Sequence, residues 1–402
     1  MILTKKQQQI LEQSIRFFLF VFILFIPMKT SIYPISFSIF VILCGIHFFI
    51  NHQFSSFSAL FIEEKKLFIA FGFVIFSMIY SNILSPYTSL NSWRIIGHYT
   101  FRYFLLFILL IILYRNTVIS KRFLIIAILS SLALQCFDGI FQAIIGFDLI
   151  KSDPGTLSLP LGISGAVFHR NTFGFFMATG SIISLILIFN FFLRWKEKFI
   201  LFSLNFLFIF CMLFSFSRSS WVFYCIVFFI FFALKYKHSL KKFFTIILTI
   251  TITISAFFFI SDRLSMRLIQ LVSLNSSGRY AIWYDALNQI KDSLFFGHGL
   301  MTYAQLSNIS GQFSIHNDLL EILFFTGLFG FFTFTYLLYR IFISVLQTKN
   351  IAYFSFFIGF LVLFQFDHSA IKNIPILSTL SLFAFFIYSE AKTTRIISHE
   401  IY

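Results

Sequence analysis

The chain has 402 residues, of which 59% are hydrophobic, 11% are charged and 66 are phenylalanine; a soluble domain carries about a quarter charged residues, so a water-soluble globule is excluded. The net charge of +15 does not indicate a nucleic-acid partner, because such proteins cluster basic residues on one wet surface, whereas here Lys and Arg separate hydrophobic runs. We therefore predict an all-α polytopic membrane protein, since segments surrounded by lipid must satisfy their backbone hydrogen bonds internally.

Twelve hydrophobic runs are candidates for membrane-spanning helices, which need about 20 apolar residues each. They form a single membrane domain over residues 1–402. The first run follows Lys5 and Lys6 and has no small-residue cleavage site after it, so we predict an uncleaved first span. The runs lie near residues 17–30, 32–50, 67–84, 99–114, 123–145, 171–192, 199–216, 220–234, 243–261, 319–342, 351–366 and 375–390.

Most of the 30 basic residues lie in alternate loops and at the span ends beside them. Positive charge collects on the cytoplasmic side of a membrane, so both termini are predicted to be cytoplasmic. Arginines on the opposite, outer side need another explanation. A long translocated segment, residues 262–318, is enough for Arg263 and Arg267. It does not explain Arg218, which lies in a polar notch between Phe-rich spans, where an isolated cation is costly.

Cysteine and histidine spacing gives no support for a metal or disulfide framework. Cys44, Cys136, Cys211 and Cys225 all lie inside apolar runs without CxxC spacing, and we interpret them as packing residues. The outer histidines His298, His316 and His368 also lack the paired spacing of a metal site. We expect no metal.

His316 is the first candidate for chemistry on the outer side. A neutral imidazole accepts a proton near pH 7, and His316 stands at the start of a predicted span. The alternative is a structural one. Asn317 and Asp318 are good residues for a helix N-terminus, so the polar triplet could simply cap the helix.

Arg218 and Arg279 are the candidates for binding an anion. Two arginines and a histidine could converge on a diphosphate, because guanidinium groups match phosphate oxygens with paired hydrogen bonds. The alternative for Arg279 is a solvated helix end. For Arg218 it is an ion pair with an outer carboxylate, for which the candidates are Asp138, Asp285 and Asp367.

The outer segment also contains a predicted short helix. Apolar residues recur at helical spacing over residues 278–287. Trp283 and Tyr284 in this helix suit the headgroup layer of a membrane, where amphipathic rings settle. A turn at Gly297-His298-Gly299 follows.

Several of these segments occur in the order found in a known family. The sequence resembles the O-antigen ligase and polymerase family of bacterial inner-membrane glycosyltransferases. The resemblance rests on Ser217-Arg218-Ser219-Ser220-Trp221, on Gly278-Arg279 with Trp283, on Gly297-His298-Gly299, on His316-Asn317-Asp318-Leu319-Leu320-Glu321 with Gly327 and Gly330, and on Asn171-Thr172-Phe173-Gly174.

The resemblance implies transfer of a glycan from undecaprenyl diphosphate to an acceptor hydroxyl at the periplasmic face of the inner membrane. It implies that His316 is the general base and that Arg218 and Arg279 hold the diphosphate. Arg170 and Asn317 are further candidates for substrate binding. Residues 262–318 would be a periplasmic loop that carries part of the active site, and no cofactor is implied. Direct attack by the acceptor would invert the anomeric centre.

Within the family we prefer a ligase to a polymerase. A ligase uses the lipid A-core oligosaccharide as acceptor, whereas a polymerase joins lipid-linked repeat units. A protein-glycosylating ligase of similar design is a further alternative. A flippase for lipid-linked oligosaccharides belongs to another class, and it would need polar residues along a path across the bilayer, typically with repeated halves. The candidate residues gather on one face instead.

Overall fold

The structure, a computed structural model, describes most of the chain. The described residues are 4–28, 30–51, 54–155, 162–167, 169–191, 193–273, 278–309, 311, 314–366 and 373–400. They form α-helices together with short 3-10 and π-helical turns, and no strand occurs among them. Asp367 and His368, which entered the predictions above, lie outside the described residues.

Helices account for every predicted hydrophobic run. A π-helical turn, Thr100–Leu105, joins α5 to α6. The helices are α1 (Lys5–Phe25), α2 (Ile32–Ile50), α3 (Phe54–Glu63), α4 (Lys65–Leu84), α5 (Leu90–Tyr99), α6 (Leu106–Arg115), α7 (Lys121–Ile145), α8 (Arg170–Asn190), α9 (Trp195–Phe214), α10 (Arg218–Lys235), α11 (Leu240–Ile260), α12 (Asp262–Val272), α13 (Arg279–Ile290), α14 (Tyr303–Leu306), α15 (Asp318–Thr348), α16 (Ile351–Leu363) and α17 (Ile374–Glu400).

The prediction of an all-α polytopic membrane protein is confirmed. Ten helical segments in the described part of the chain are long and apolar enough to cross a membrane. The twelve predicted runs also include α16, which has 13 residues, and α17. The helix ends follow local signals. For example, Ser120 accepts a hydrogen bond from the backbone N–H of Phe123 at the start of α7, and the helix ends at Gly146 in a left-handed conformation.

Aromatic side chains pack α8, α10 and α16 against one another. Phe175 of α8 lies 5.3 Å from Phe223 of α10 and 5.8 Å from Phe360 of α16, measured between ring centroids. Gly359 permits close approach, because an added Cβ would lie 2.2 Å from Val227. Small residues of this kind allow tight helix packing where lipid supplies no hydrophobic drive.

The two ends of the bundle differ in their charged contacts. At one end, which we call the arginine end, α8 and α10 begin side by side with Arg170 and Arg218. At the opposite end Glu63 accepts from Arg115 at 2.6 Å and from Lys392 at 2.7 Å. These contacts tie α3, α6 and α17 together.

Helix α11 lies at the edge of the bundle. None of its membrane-spanning window is buried. Its contacts with protein include Phe257, whose ring centroid lies 5.6 Å from that of Phe206 on α9. The amphipathic helix α12 follows directly and buries Leu264. The position of α12 thus depends on a span that is surrounded mostly by lipid.

Candidate functional site

The starts of α8 and α10 are joined by small polar residues. Ser217 caps α10 by accepting from the N–H of Ser220, and the Ser220 hydroxyl donates to the carbonyl of Asn171 at 3.2 Å. Gly174 leaves room for this contact, since an added Cβ would lie 2.5 Å from the Ser215 hydroxyl oxygen. The two helix starts therefore lie close together, and each carries an arginine as its first residue.

Two further arginines approach this pair. Arg218 interacts electrostatically with Arg267 and Arg279, and Arg170 interacts with Arg218 and Arg267. Burial, followed by the charge of Arg170, lowers the pKa of Arg267. We call Arg170, Arg218, Arg267 and Arg279 the arginine cluster. Helix N-termini already favour negative charge, so arginines at the first position of three helices, α8, α10 and α13, make a strongly anion-attracting region.

Gln270 of α12 holds two members of the cluster in place. Its backbone carbonyl accepts from Arg218 Nη1 at 2.9 Å, and its side-chain Oε1 accepts from Arg267 Nη1 at 2.7 Å. Helix α12 thereby packs onto the start of α10. The guanidinium planes are positioned by backbone as well as side-chain contacts, which preorganises them for a ligand.

Sequence reasoning found three members of the cluster and missed Arg267. The sequence analysis explained the outer position of Arg267 by a long translocated segment, in which charge does not determine the topology. The overlooked signal is helical spacing, because Arg267 follows Leu264 by three residues and precedes Leu271 by four. Leu264 is fully buried and Leu271 packs against the core, so Arg267 lies on the inward face of α12.

His316 lies in a tightly held segment before α15. Its backbone adopts a left-handed conformation with φ of 56°, which is uncommon for a residue other than glycine, although His adopts it more readily than most residues. The buried Glu321 side chain fixes the approach to it, accepting from the Ser314 hydroxyl at 2.5 Å and from the Ile315 N–H at 2.9 Å. Glu321 is thus a positioning residue that sequence reasoning had quoted without assigning it a role.

Helix α13 links His316 to the arginine cluster. The helix begins at Arg279, after Gly278 in a left-handed conformation. One turn later, about 6 Å along the axis, the indole N–H of Trp283 donates to the carbonyl of Ile315 at 3.0 Å. The prediction placed Trp283 in the headgroup layer, whereas the structure gives its N–H a protein partner beside His316.

Asn317 caps α15. Its side-chain oxygen accepts from the N–H of Leu320 at 3.0 Å, and its amide donates to Gln365 at 3.4 Å. The N–H of Asp318 donates to the carbonyl of Phe364 at 2.7 Å. Asn317 therefore has the capping role that the sequence left open for this triplet. The bonds of Asn317 and Asp318 to Gln365 and Phe364 tie α15 to the end of α16.

The carboxylate of Asp138 is engaged away from the arginines. It accepts from the N–H of Leu149 at 2.9 Å and from the N–H of Ala166 at 2.6 Å. These bonds fold the connection between α7 and α8 over the helix ends. An ion pair between Asp138 and Arg218, one of the alternatives raised by the sequence, does not occur.

Asp285, another carboxylate proposed as a partner for Arg218, organises the segment after α13 instead. Burial raises its pKa, but four side-chain hydrogen bonds outweigh burial, and the pKa of Asp285 is lower than usual. This carboxylate stays charged and joins α13 to α14. The donors are Gln289 at 3.0 Å, Tyr303 at 3.1 Å, Ser307 at 3.0 Å and Asn308 at 2.9 Å.

A comparison with known families found a match for the region that carries most of this site. Residues 203–335 match the family model described as O-antigen ligase. These residues, about a third of the chain, resemble the O-antigen ligase family. The match confirms the resemblance read from the motifs and supports a ligase-type or polymerase-type role in O-antigen processing. No curated protein in the comparison matches the chain.

The O-antigen ligase region includes most of the candidate residues. Arg218, Arg267, Arg279 and His316 all lie inside the matched range, whereas Arg170 precedes it. Arg170 reaches the cluster because α8 packs against α10, which lies inside the matched range.

Within the O-antigen ligase region, α15 is interrupted at Gly327. This residue has φ of 65° and ψ of −169°, far from helical values. The interruption leaves two helix carbonyls available, and those of Phe324 and Phe325 accept from the N–H groups of His298 and Gly299 at 2.9 and 3.0 Å. The predicted Gly297-His298-Gly299 turn thus docks into the kink of the helix that begins beside His316.

Replacing Gly327 with alanine is expected to destabilise the protein by roughly 1–3 kcal/mol, because this backbone conformation is nearly restricted to glycine. An added Cβ would also lie 2.3 Å from the Phe295 carbonyl oxygen. The thermal unfolding midpoint of the purified variant in detergent should fall. Gly72→Ala is the control, since that helical glycine has no atom within 4 Å of an added Cβ. Equal midpoints for the two variants would contradict the steric argument.

Proposed function

We propose that the protein is an O-antigen ligase, which transfers a polysaccharide from undecaprenyl diphosphate to a hydroxyl of the lipid A-core oligosaccharide. One observation carries the proposal. The arginine cluster and His316 are joined through α13, because Arg279 begins this helix and Trp283 bonds the residue before His316. A polyanion site and a proton acceptor thus occupy the same end of the bundle.

The arginine cluster suits the diphosphate of the donor. Guanidinium groups form paired, charge-assisted hydrogen bonds with phosphate oxygens. As the bond between the sugar and the diphosphate breaks, negative charge grows on the leaving oxygen. Fixed cations near that oxygen stabilise the transition state more than the ground state. In this proposal Arg218 and Arg279 bind the diphosphate, and Arg170 and Arg267 add to the positive potential.

His316 would act on the acceptor. Its imidazole takes the proton of the acceptor hydroxyl while the oxygen attacks the anomeric carbon. A new glycosidic bond forms, the bond to the diphosphate breaks, and the bonding electrons leave with the lipid diphosphate. The reaction is a single displacement, so the anomeric configuration inverts. Its driving force is the good leaving group on the donor, and positioning of the two substrates supplies much of the rate.

The proposed site faces the periplasm of a bacterial inner membrane. Basic residues that pair with Glu63 and Glu390 lie at the end opposite the arginine cluster. This distribution agrees with cytoplasmic termini under the positive-inside rule. Residues 262–318, which contain α12, α13 and α14, would then form the periplasmic loop within one membrane domain.

Deletion of the gene followed by lipopolysaccharide electrophoresis tests the proposal. A ligase predicts core without O-antigen and accumulation of lipid-linked polymer. Core that carries a single repeat unit would instead identify a polymerase. Lipid-linked repeat units trapped on the cytoplasmic side would identify a flippase. Unchanged O-antigen on the core would overturn the proposal, and complementation with the intact gene provides the control.

A further inference from the structure

A second set of basic residues lies on α5 and on the π-helical turn that follows it, away from the arginine cluster. Arg94, His98 and Arg102 follow each other at intervals of four residues, so they share one face of the helical segment. His98 interacts electrostatically with both arginines. We call these three residues the α5 stripe.

The α5 stripe runs from the membrane surface into the apolar layer. Tyr87 and Trp93 are about half exposed, at 46% and 42%, and such rings mark the headgroup level. Arg102 follows Arg94 by eight residues, about 12 Å along a helix axis. Arg115, at the other end of the same span, pairs with Glu63. Arg102 therefore lies well inside a hydrocarbon layer about 30 Å thick.

Aromatic and hydroxyl groups surround Arg102. Its guanidinium carbon lies 4.4 Å from the ring centroid of Tyr33 and 5.4 Å from that of Phe37. The Tyr33 hydroxyl is 2.7 Å from the Ser378 hydroxyl. Arg94 bonds Asn91 at 3.3 Å. Such contacts orient a cation but do not neutralise it.

Ion pairs in the described part of the chain do not include Arg94 or Arg102. Arginine within a membrane is costly and usually serves binding or transport. An anion supplied from outside the protein would offset that cost. The segment that carries Arg102 is also wound as a π-helix, with the Leu106 N–H bonded to the carbonyl of Phe101, and such turns are frequent at functional sites.

The α5 stripe borders the candidate active site. The Ser92 hydroxyl donates to the carbonyl of Leu300 at 2.6 Å, which joins α5 to the turn docked in α15. Tyr99, the residue after His98, interacts electrostatically with Asp318. An anionic lipid on the stripe would thus lie next to the segment that holds His316.

We propose that the α5 stripe binds the phosphate headgroup of a second membrane lipid, separate from any lipid at the arginine cluster. The chemistry requires a phosphate between the levels of Arg94 and Arg102, so that both guanidinium groups contact it, and an acyl or prenyl chain beside α5. This binding does not depend on the transfer reaction proposed above. Two sources of the phosphate are distinguished by experiment, namely a polyprenyl phosphate and an ordinary phospholipid.

Native mass spectrometry of the purified full chain in neutral detergent tests the proposal. The probes are undecaprenyl phosphate, phosphatidylglycerol and, as a lipid without phosphate, diacylglycerol. We expect at least one phosphate lipid bound per chain that is retained in Arg218→Gln. In the double variant Arg94→Gln, Arg102→Gln that lipid should bind at least about tenfold more weakly, because two charge-assisted contacts are lost. Diacylglycerol should show no such dependence.

Arg263→Gln is the matched control, because Arg263 is an exposed arginine of α12 outside the stripe. The single variant Arg94→Gln, at the surface, gives a second measurement if the double variant does not fold. Preference for one phosphate lipid identifies the source, and equal binding of both assigns the site to phospholipid headgroups in general. Unchanged affinity in Arg94→Gln, an equal loss in Arg263→Gln, or displacement of the lipid by equimolar inorganic phosphate would overturn the proposal.

Discussion

Replacing His316 with alanine is expected to slow glycan transfer by about 10²–10⁴-fold, the usual contribution of a general base. The protein should still insert and accumulate, because Asn317 and Glu321 hold the segment around His316 through their own bonds. The measurement is the rate of polymer transfer by membranes that contain equal amounts of each variant. Retained O-antigen on the core at the normal rate would remove His316 from the mechanism.

Further variants separate a proton acceptor from a structural residue at this position. His316→Asn keeps a side chain that tolerates the left-handed backbone but lacks basicity, so it should be as inactive as alanine. Added imidazole should restore part of the activity of His316→Ala. His238→Ala is the control, since His238 is exposed between α10 and α11. If His316→Asn were active, the role of His316 would be structural.

Replacing Arg218 with lysine is expected to lower kcat by about 10–100-fold, although the charge is kept. Lysine cannot form the paired hydrogen bonds of a guanidinium group with phosphate oxygens, and it would lose the geometry of the 2.9 Å bond to the Gln270 carbonyl. Because the diphosphate gains further negative charge on the leaving oxygen in the transition state, kcat should fall more than KM rises.

Arg263→Lys serves as the control for this substitution. Both residues are arginines near α12, but Arg263 is exposed and lies outside the arginine cluster. It should retain normal kinetics. If Arg218→Lys were equally normal, bidentate binding at Arg218 would be excluded and the residue would be assigned to structure.

The spans could be predicted closely because a segment surrounded by lipid must satisfy its backbone hydrogen bonds internally and therefore forms a helix. A run predicted at 171–192 is α8, Arg170–Asn190, and a run predicted at 220–234 is α10, Arg218–Lys235. Hydrophobic length sets the extent of these runs, and local caps such as Ser217 set the exact helix ends. The kink at Gly327 was not predicted, because its cause is a contact with the turn at Gly297, distant in sequence.

The sequence predicted those site residues whose chemistry is unusual for their position in the chain. Arg218 was singled out because a cation between Phe-rich spans has a high cost, and His316 because imidazole titrates near neutral pH. The sequence analysis did not include Arg267 or Arg102 among the candidate site residues, for different reasons. The outer position of Arg267 was already explained by a long translocated segment. The contacts of Arg102 with Tyr33 and Phe37 join residues distant in sequence and became evident only in the structure.

The position of α11 has a practical consequence for work on the purified enzyme. Because no residue of its spanning window is fully buried and its packing rests on one face, including Phe257 against Phe206, the thickness of the surrounding bilayer contributes to its tilt along with that packing. Helix α12 and Arg267 are attached to it directly. Micelles exert no comparable lateral force, so we expect nanodiscs of native lipid to preserve the full donor affinity and detergent to reduce it.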